Sequence, residues 1–152
     1  MLALEKIFRK NKKLVIGLMS GTSADGVDAA LLEIRGSGTR SDLKLLAFRT
    51  YPYPPDFKRF ILKNSSAASA RLDDVAQLNM LTSFFFTEAA KKITRSAGRH
   101  LTDIDLIGSH GQTVQHLPLP KKMFGKKVRS TLQLGSPSAI AKLTGIVTVG
   151  DF

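Results

Sequence analysis

Residues 14 to 51 carry three short apolar segments joined by turns too short for a crossover, and this limits the fold more than any other feature. Leu14 to Met19 (LVIGLM), Val27 to Ile34 (VDAALLEI) and Leu43 to Tyr51 (LKLLAFRTY) each read as a strand. The stretches between them, Ser20 to Gly26 and Gly36 to Asp42, are dense in turn residues. A parallel return needs a dozen or more connecting residues, so an antiparallel meander is expected. Pro52, Pro54 and Pro55 then stop the sheet. Asp56 to Lys63 reads as a short helix, with Asp56 near its start and Asn64 near its end. Ser65 to Ala70 is a linker of small residues.

Arg71 to Arg95 is the clearest helix. At about 100° per residue, Leu72, Val75, Ala76, Leu78, Phe85, Phe86, Ala89, Ala90 and Ile93 share one broad face. Gly98 is a natural terminator. Leu81 and Phe84 fall among the polar residues, either as ordinary exposed apolar side chains or as a contact with another helix, domain or subunit; they permit a homodimer. Asp105 to Ser109 reads as a strand running into a polar turn at His110, Gly111, Gln112 and Thr113. Ser130 to Leu134 is a further strand. Ser136 caps a helix with Pro137 in its first turn, which ends near Gly145, and Ile146 to Val149 is a last strand. Three antiparallel strands, a long helix, then more strand and helix make an α/β layer with a mixed sheet.

The chain has no cysteine, which excludes disulfides and thiolate metal sites. His100, His110 and His116 match no standard zinc spacing. No apolar run is long enough to span a membrane. Met1 to Lys13 lacks the continuous apolar stretch of a secretory signal; it reads as a frayed basic leader, or as a short amphipathic helix on a membrane surface. The formal net charge of +11 invites a nucleic-acid reading, but its distribution argues against one. Arg9, Lys10, Lys12 and Lys13 in the leader, with Lys121, Lys122, Lys126, Lys127 and Arg129 in an expected loop, carry nine charges and leave +2 elsewhere. Apart from Phe124, neither run is interleaved with aromatic residues that stack on bases, so neither a nucleic-acid nor a membrane partner is expected.

Met19 to Gly26 (MSGTSADG) is the segment with most chemical content. It lacks the Gly-Lys-Ser/Thr ending of a Walker loop and the G-x-S-x-G spacing of a nucleophile elbow. It offers a tight inter-strand loop in which Gly21 and Gly26 let the backbone approach a ligand. Successive N–H groups can cradle an anion, Thr22 and Ser23 add hydroxyls, and Asp25 adds a carboxylate able to hold magnesium directly or through water. The same residues also make a plain hairpin loop. His110 alone reads as easily as a structural residue. Asp103 and Asp105 would share a strand face without forming a carboxylate pair. A Ser109-His110-Asp105 triad fails because strand neighbours point to opposite faces.

Four ordered segments carry a resemblance: Ile16 to Asp28 (IGLMSGTSADGVD); Gly108 to Val114 (GSHGQTV) with His116 and Pro118; Ser130 to Gly135 (STLQLG); and Ile146 to Phe152 (IVTVGDF). From about Leu14 onward the chain resembles the opening of the anhydro-N-acetylmuramic acid kinase family. The resemblance implies a ribonuclease-H-like domain of the actin, sugar kinase and heat-shock ATPase superfamily, with ATP and magnesium as cofactors and a cytoplasmic location. It implies ATP-dependent opening of the anhydro ring of the sugar by water, giving N-acetylmuramic acid 6-phosphate for cell-wall sugar recycling. Carried over by position, Gly21, Thr22, Ser23, Ala24, Asp25, Gly26, Val27 and Asp28 are the nucleotide-phosphate segment, with Asp25 near the metal. His110, Gln112 and Thr113 would lie on the sugar side.

Ala24 stands where the family more often has a larger apolar residue. The family's catalytic aspartate is expected just beyond Phe152, so the resemblance assigns no catalytic residue to this chain. It is read as a leader (1–13) and a truncated N-terminal domain (14–152) lacking the second, adenine-binding domain, and as inactive alone. The alternative is a non-catalytic remnant or interaction module on the same domain.

Overall fold

The computed structural model describes residues 3–152. A short helix, α1 (Ala3–Arg9), precedes β1 (Lys12–Ser20), β2 (Gly26–Arg35) and β3 (Asp42–Pro52). Then come α2 (Pro55–Asn64), α3 (Leu72–Ser96), β4 (Leu106–Met123), β5 (Lys126–Leu134), α4 (Pro137–Thr144) and β6 (Thr148–Gly150). The first three strands form the expected antiparallel meander, with Ile16 opposite Leu31 and Leu31 opposite Ala47. After α3 the chain returns to place β4 parallel to β1, with Ile16 opposite Ile107. The start of β4 lies between β1 and β6, both parallel to it, while its far half pairs antiparallel with β5. This is an α/β arrangement with a mixed sheet, with β5 added as a long hairpin arm.

Alternation decides which face of the sheet is buried. Ile16 and Leu18 of β1, Val27, Ala29 and Leu31 of β2, and Ile107 of β4 all turn toward the helices. Helix α3 meets them with Leu78, Phe86, Ala89, Ala90 and Ile93, and α4 adds Ile140. Each large apolar side chain removed from water this way stabilises the fold by about 1.5–3 kcal/mol. Tyr53, Phe57 and Phe85 close one end of the core as a cluster with ring centroids 4.3–5.3 Å apart. The opposite face of the meander is open: Leu43, Leu45 and Phe48 are exposed beside an apolar groove of about 670 Å³.

Several expectations change. Met1 and Leu2 of the leader lie outside the described residues, but Ala3 to Arg9 is helical, and Lys12 and Lys13 already belong to β1. Helix α3 buries Thr82, Ser83, Thr87 and Thr94 along with its apolar face, whereas Leu72 and Ala76, placed on that face by periodicity, are exposed. The basic run 121–129 is no loop. It forms the tip of the β4–β5 hairpin, turning at Phe124 and Gly125. The last strand begins at Thr148 rather than at Ile146.

The polar turn expected at His110 to Thr113 is also absent, because β4 runs straight through it. The strand absorbs one extra residue there. Leu18 is opposite Ser109, but Met19 is opposite Gly111, which leaves His110 bulged between them. Gly111 has φ +82°, and a Cβ at that position would lie 2.6 Å from the Leu134 carbonyl oxygen. Glycine is required here for a bulge, not for a turn.

Candidate functional site

The loop from Gly21 to Asp25 sits where β1 ends and β2 begins, at the edge where the parallel pair β1 and β4 also leads. Within it the Ala24 amide donates to the Gly21 carbonyl at 3.1 Å, closing a turn with Ala24 at φ +50°. The Ala24 methyl is buried in the core, and this anchors the loop from below. Thr22 and Ser23 at the tip are exposed. Among the described residues no backbone carbonyl accepts from either of their amides. Nothing lies within 4 Å of a Cβ built on Gly21.

A buried polar bracket fixes this loop from behind. Gln112 is fully buried; its Nε2 donates to the Gly21 carbonyl at 2.7 Å and to the Thr113 carbonyl at 3.0 Å. Its Oε1 lies 2.6 Å from Ser20 Oγ, which is also 2.6 Å from the Gly26 carbonyl, so one hydroxyl proton serves two acceptors. Tyr53 crowds the same spot. Burial pushes its phenol pKa well up, with the neighbouring Ser20 hydroxyl opposing. Gln112 therefore does not face a sugar: its side chain is used inside the protein to hold the loop. Thr113 beside it is nearly buried as well.

Two other readings change with the geometry. The close approach at Gly26 is to the chain itself, since a Cβ there would lie 2.3 Å from the Tyr51 carbonyl oxygen of β3. Gly26 thus serves the β2–β3 pairing, and Gly21 is the glycine that faces open space. Asp103 and Asp105 share no strand face. Asp103 caps a 3-10 turn by accepting from the His100 amide, and Asp105 accepts from the Leu14 amide and pairs with Lys10.

Asp25 is exposed and ion-paired with Lys58 of α2. The Lys58 ammonium, with the Ser23 hydroxyl, holds its carboxyl below the ordinary range, so it is ionised at neutral pH. Asp28, at the start of β2, accepts from Thr50 Oγ1 at 2.5 Å, and Val27 between them is core. Among the described residues no three His, Cys, Asp or Glu side chains gather as a metal cage. A single carboxylate flanked by the Thr22 and Ser23 hydroxyls instead fits a magnesium ion held largely by phosphate oxygens and water.

Next to the bracket is a cleft of about 420 Å³, lined by Ser109, His110, Thr131 and Gln133, with Asp151 and Phe152 at its border. Ser109 Oγ and His110 Nδ1 are both buried without a hydrogen-bond partner. Ser109 turns toward the helices and His110 sits in the bulge, and each unsatisfied atom is costly unless water or a ligand completes it. The back wall is fixed from α3: Asn79 Oδ1 accepts from the Gly135 amide and Ser83 Oγ from the Ser136 amide, both at 2.8 Å.

The anhydro-N-acetylmuramic acid kinase family model matches residues 13–152. The chain belongs to that family. It is 46% identical over 97% of its length to an anhydro-N-acetylmuramic acid kinase from Caldanaerobacter subterraneus subsp. tengcongensis, and 42% identical over 99% to one from Salinibacter ruber. It spans 37% and 38% of those two relatives' lengths. Among solved structures, RuvC from Thermus thermophilus aligns over 91% of this chain and 63% of its own at 9% identity, with a TM-score of 0.36, too slight a likeness to argue from.

Of the residues singled out in the sequence, Gly21 to Asp25 stand together as one loop, and His110 lies at the adjoining cleft. Ser20, Tyr53, Lys58, Asn79 and Ser83 act on the same region without having been singled out. Only Ser20 had a signal, its place within the Met19 to Gly26 motif. The others come from segments whose contact with the site exists only in the fold.

Proposed function

We propose that this chain supplies the nucleotide-phosphate and sugar-binding side of a kinase that acts on 1,6-anhydro-N-acetylmuramic acid. The observation that carries the reading is the loop at Gly21 to Asp25: braced from behind by Gln112, with the Thr22 and Ser23 amides at its tip given to no backbone carbonyl. Phosphoryl transfer is mostly positioning and charge stabilisation, and a braced loop of donors supplies both without reorganising. In this reading the Thr22 and Ser23 amides and hydroxyls bind phosphate oxygens, and Lys58 adds positive charge beside them. Asp25 and the neighbouring hydroxyls hold magnesium, which neutralises charge on the phosphates when bound. The cleft bordered by Ser109, His110, Thr131 and Gln133 receives the sugar.

The reaction consumes water and ATP. Water adds to the anomeric carbon, the bond from that carbon to O6 breaks, and O6 takes the γ-phosphoryl group, leaving ADP and N-acetylmuramic acid 6-phosphate. Use of ATP places the work in the cytoplasm. By family resemblance the base that takes the proton from water follows the segment that Asp151 and Phe152 begin, and turnover is sought in a polypeptide completed to the length of the relatives. The test is a coupled assay of ADP release with ATP, magnesium and the anhydro sugar, run on this chain and on a chimaera completed with the remainder of the Caldanaerobacter relative. Turnover in the chimaera, abolished when Thr22 and Ser23 are both replaced by alanine, supports the reading. A folded chimaera without turnover overturns it.

A further inference from the structure

From residue 106 to residue 150 the sequence has no Asp or Glu, while Lys121, Lys122, Lys126, Lys127 and Arg129 lie on the β4–β5 arm. None of the ion pairs among the described residues uses any of these five cations. Like charges gathered without counter-charge raise the local potential and attract an anion from solution. The arm is continuous with the sugar cleft. Along β5 the alternate residues Arg129, Thr131 and Gln133 share a face. Gln133 Nε2 donates to Thr131 Oγ1 at 2.6 Å, and Thr131 Oγ1 donates to the Gln115 carbonyl at 3.1 Å, so this wall is held in place. Thr131 borders both the cleft and a second hollow of about 360 Å³ lined by His116 and Arg129. His116 is opposite Thr131 in the strand register. The hollow therefore adjoins the cleft across one threonine.

We propose that Arg129, with His116 and Thr131, forms a subsite for the carboxylate of an acidic sugar seated in the cleft. The inference rests on the kinase reading above and extends it to substrate selection. A muramic acid differs from the corresponding glucosamine by a lactyl ether ending in a carboxylate. The planar guanidinium of Arg129 matches a carboxylate with two parallel N–H donors, a geometry that a lysine does not reproduce. The four lysines further out along the arm raise the local concentration of anions without fixing their orientation. Selection of the acid then comes from one side chain at the outer end of the cleft, remote from the phosphate loop.

The experiment titrates this chain, by NMR chemical shift, with 1,6-anhydro-N-acetylmuramic acid and with neutral 1,6-anhydro-N-acetylglucosamine. Inorganic phosphate and ATP are titrated separately. The wild type is expected to prefer the acid on the order of tenfold, the yield of one well-placed charged hydrogen bond. In Arg129→Gln the ratio of the two sugar affinities falls to about one, and Arg129→Lys restores only part of it. A wild type that binds both sugars alike, or an Arg129→Gln chain that keeps the preference, overturns the subsite and leaves the kinase reading standing. If Arg129→Gln weakens phosphate or ATP binding and keeps the sugar preference, the anion is a phosphate and the carboxylate assignment is wrong. If neither sugar binds to a chain that melts cooperatively, the sugar reading fails and the subsite falls with it.

Discussion

Gln112 Nε2 donates to the carbonyl of Gly21 at 2.7 Å, tying the end of the β1–β4 parallel pair to the loop that leaves it. Gln112 is fully buried, and two other polar groups, the Thr113 carbonyl and the Ser20 hydroxyl, depend on the same amide. Replacing Gln112 by alanine strands these groups at about 1–3 kcal/mol for the worst-placed of them. We expect Gln112→Ala to lose about 2–4 kcal/mol in urea denaturation. Gln112→Glu should cost at least as much, since it sets a carboxylate against the Gly21 and Thr113 carbonyls.

The two glycines that bound the loop should behave oppositely. Gly26→Ala places a methyl 2.3 Å from the Tyr51 carbonyl, so β2 and β3 must separate locally and the melting temperature should drop by several degrees. Gly21→Ala meets open space and should leave stability within about 1 kcal/mol of wild type. It should nevertheless weaken ATP binding, because its methyl occupies the surface proposed for phosphate. Equal nucleotide affinity in Gly21→Ala and wild type would remove that surface from the site.

Asp25 and Lys58 give a pH signature. The folded-state pKa of Asp25 is lowered by its Lys58 partner, so its contribution to stability is present above the ordinary carboxylate range and is lost as pH falls through the lowered value. The pair is exposed, which keeps that contribution small. The direct readout is the carboxyl carbon shift of Asp25 through an acid titration. Lys58→Met should move its midpoint up toward that of an isolated aspartate, and high salt should do the same in the wild type in part. An unchanged midpoint in Lys58→Met would show that the pair does not form in solution.

On the far side of the cleft, Asn79→Ala removes the acceptor for the Gly135 amide, and Ser83→Ala removes the acceptor for the Ser136 amide. Each should cost about 1–3 kcal/mol. Hydrogen exchange at the Gly135 amide should accelerate selectively in Asn79→Ala, which distinguishes a loosened cleft wall from general destabilisation.

The meander and the long helix were legible because their signals are local: alternation, short turns and a recurring apolar face. The loop at Gly21 to Asp25 was legible as a chemical motif but not as a braced one, since Gln112 lies some ninety residues further on. Gly111 misled because a glycine beside polar residues signals a turn, whereas here it accommodates a bulge inside a strand. Thr82, Ser83, Thr87 and Thr94 gave no sign of burial. Two of them satisfy their hydroxyls within the helix itself, Ser83 on the Asn79 carbonyl and Thr94 on that of Ala90. Periodicity also carried the buried face of α3 too far toward its start, where Leu72 finds nothing to pack against.

The bulge at His110 divides β4 into two halves of opposite parity. Before it, the odd-numbered Ile107 and Ser109 point to the helices; after it, the even-numbered Gln112 and Val114 do. A second irregularity lies at Val114, where β4 pairs with β5; losing one residue at a regular position of the buried part would turn the rest of it inside out. Losing His110 alone would restore plain alternation and leave Gln112 and Val114 facing inward. The packing thus tolerates a deletion at the one position in the strand that borders both the cleft and the open face, and only binding would register the loss.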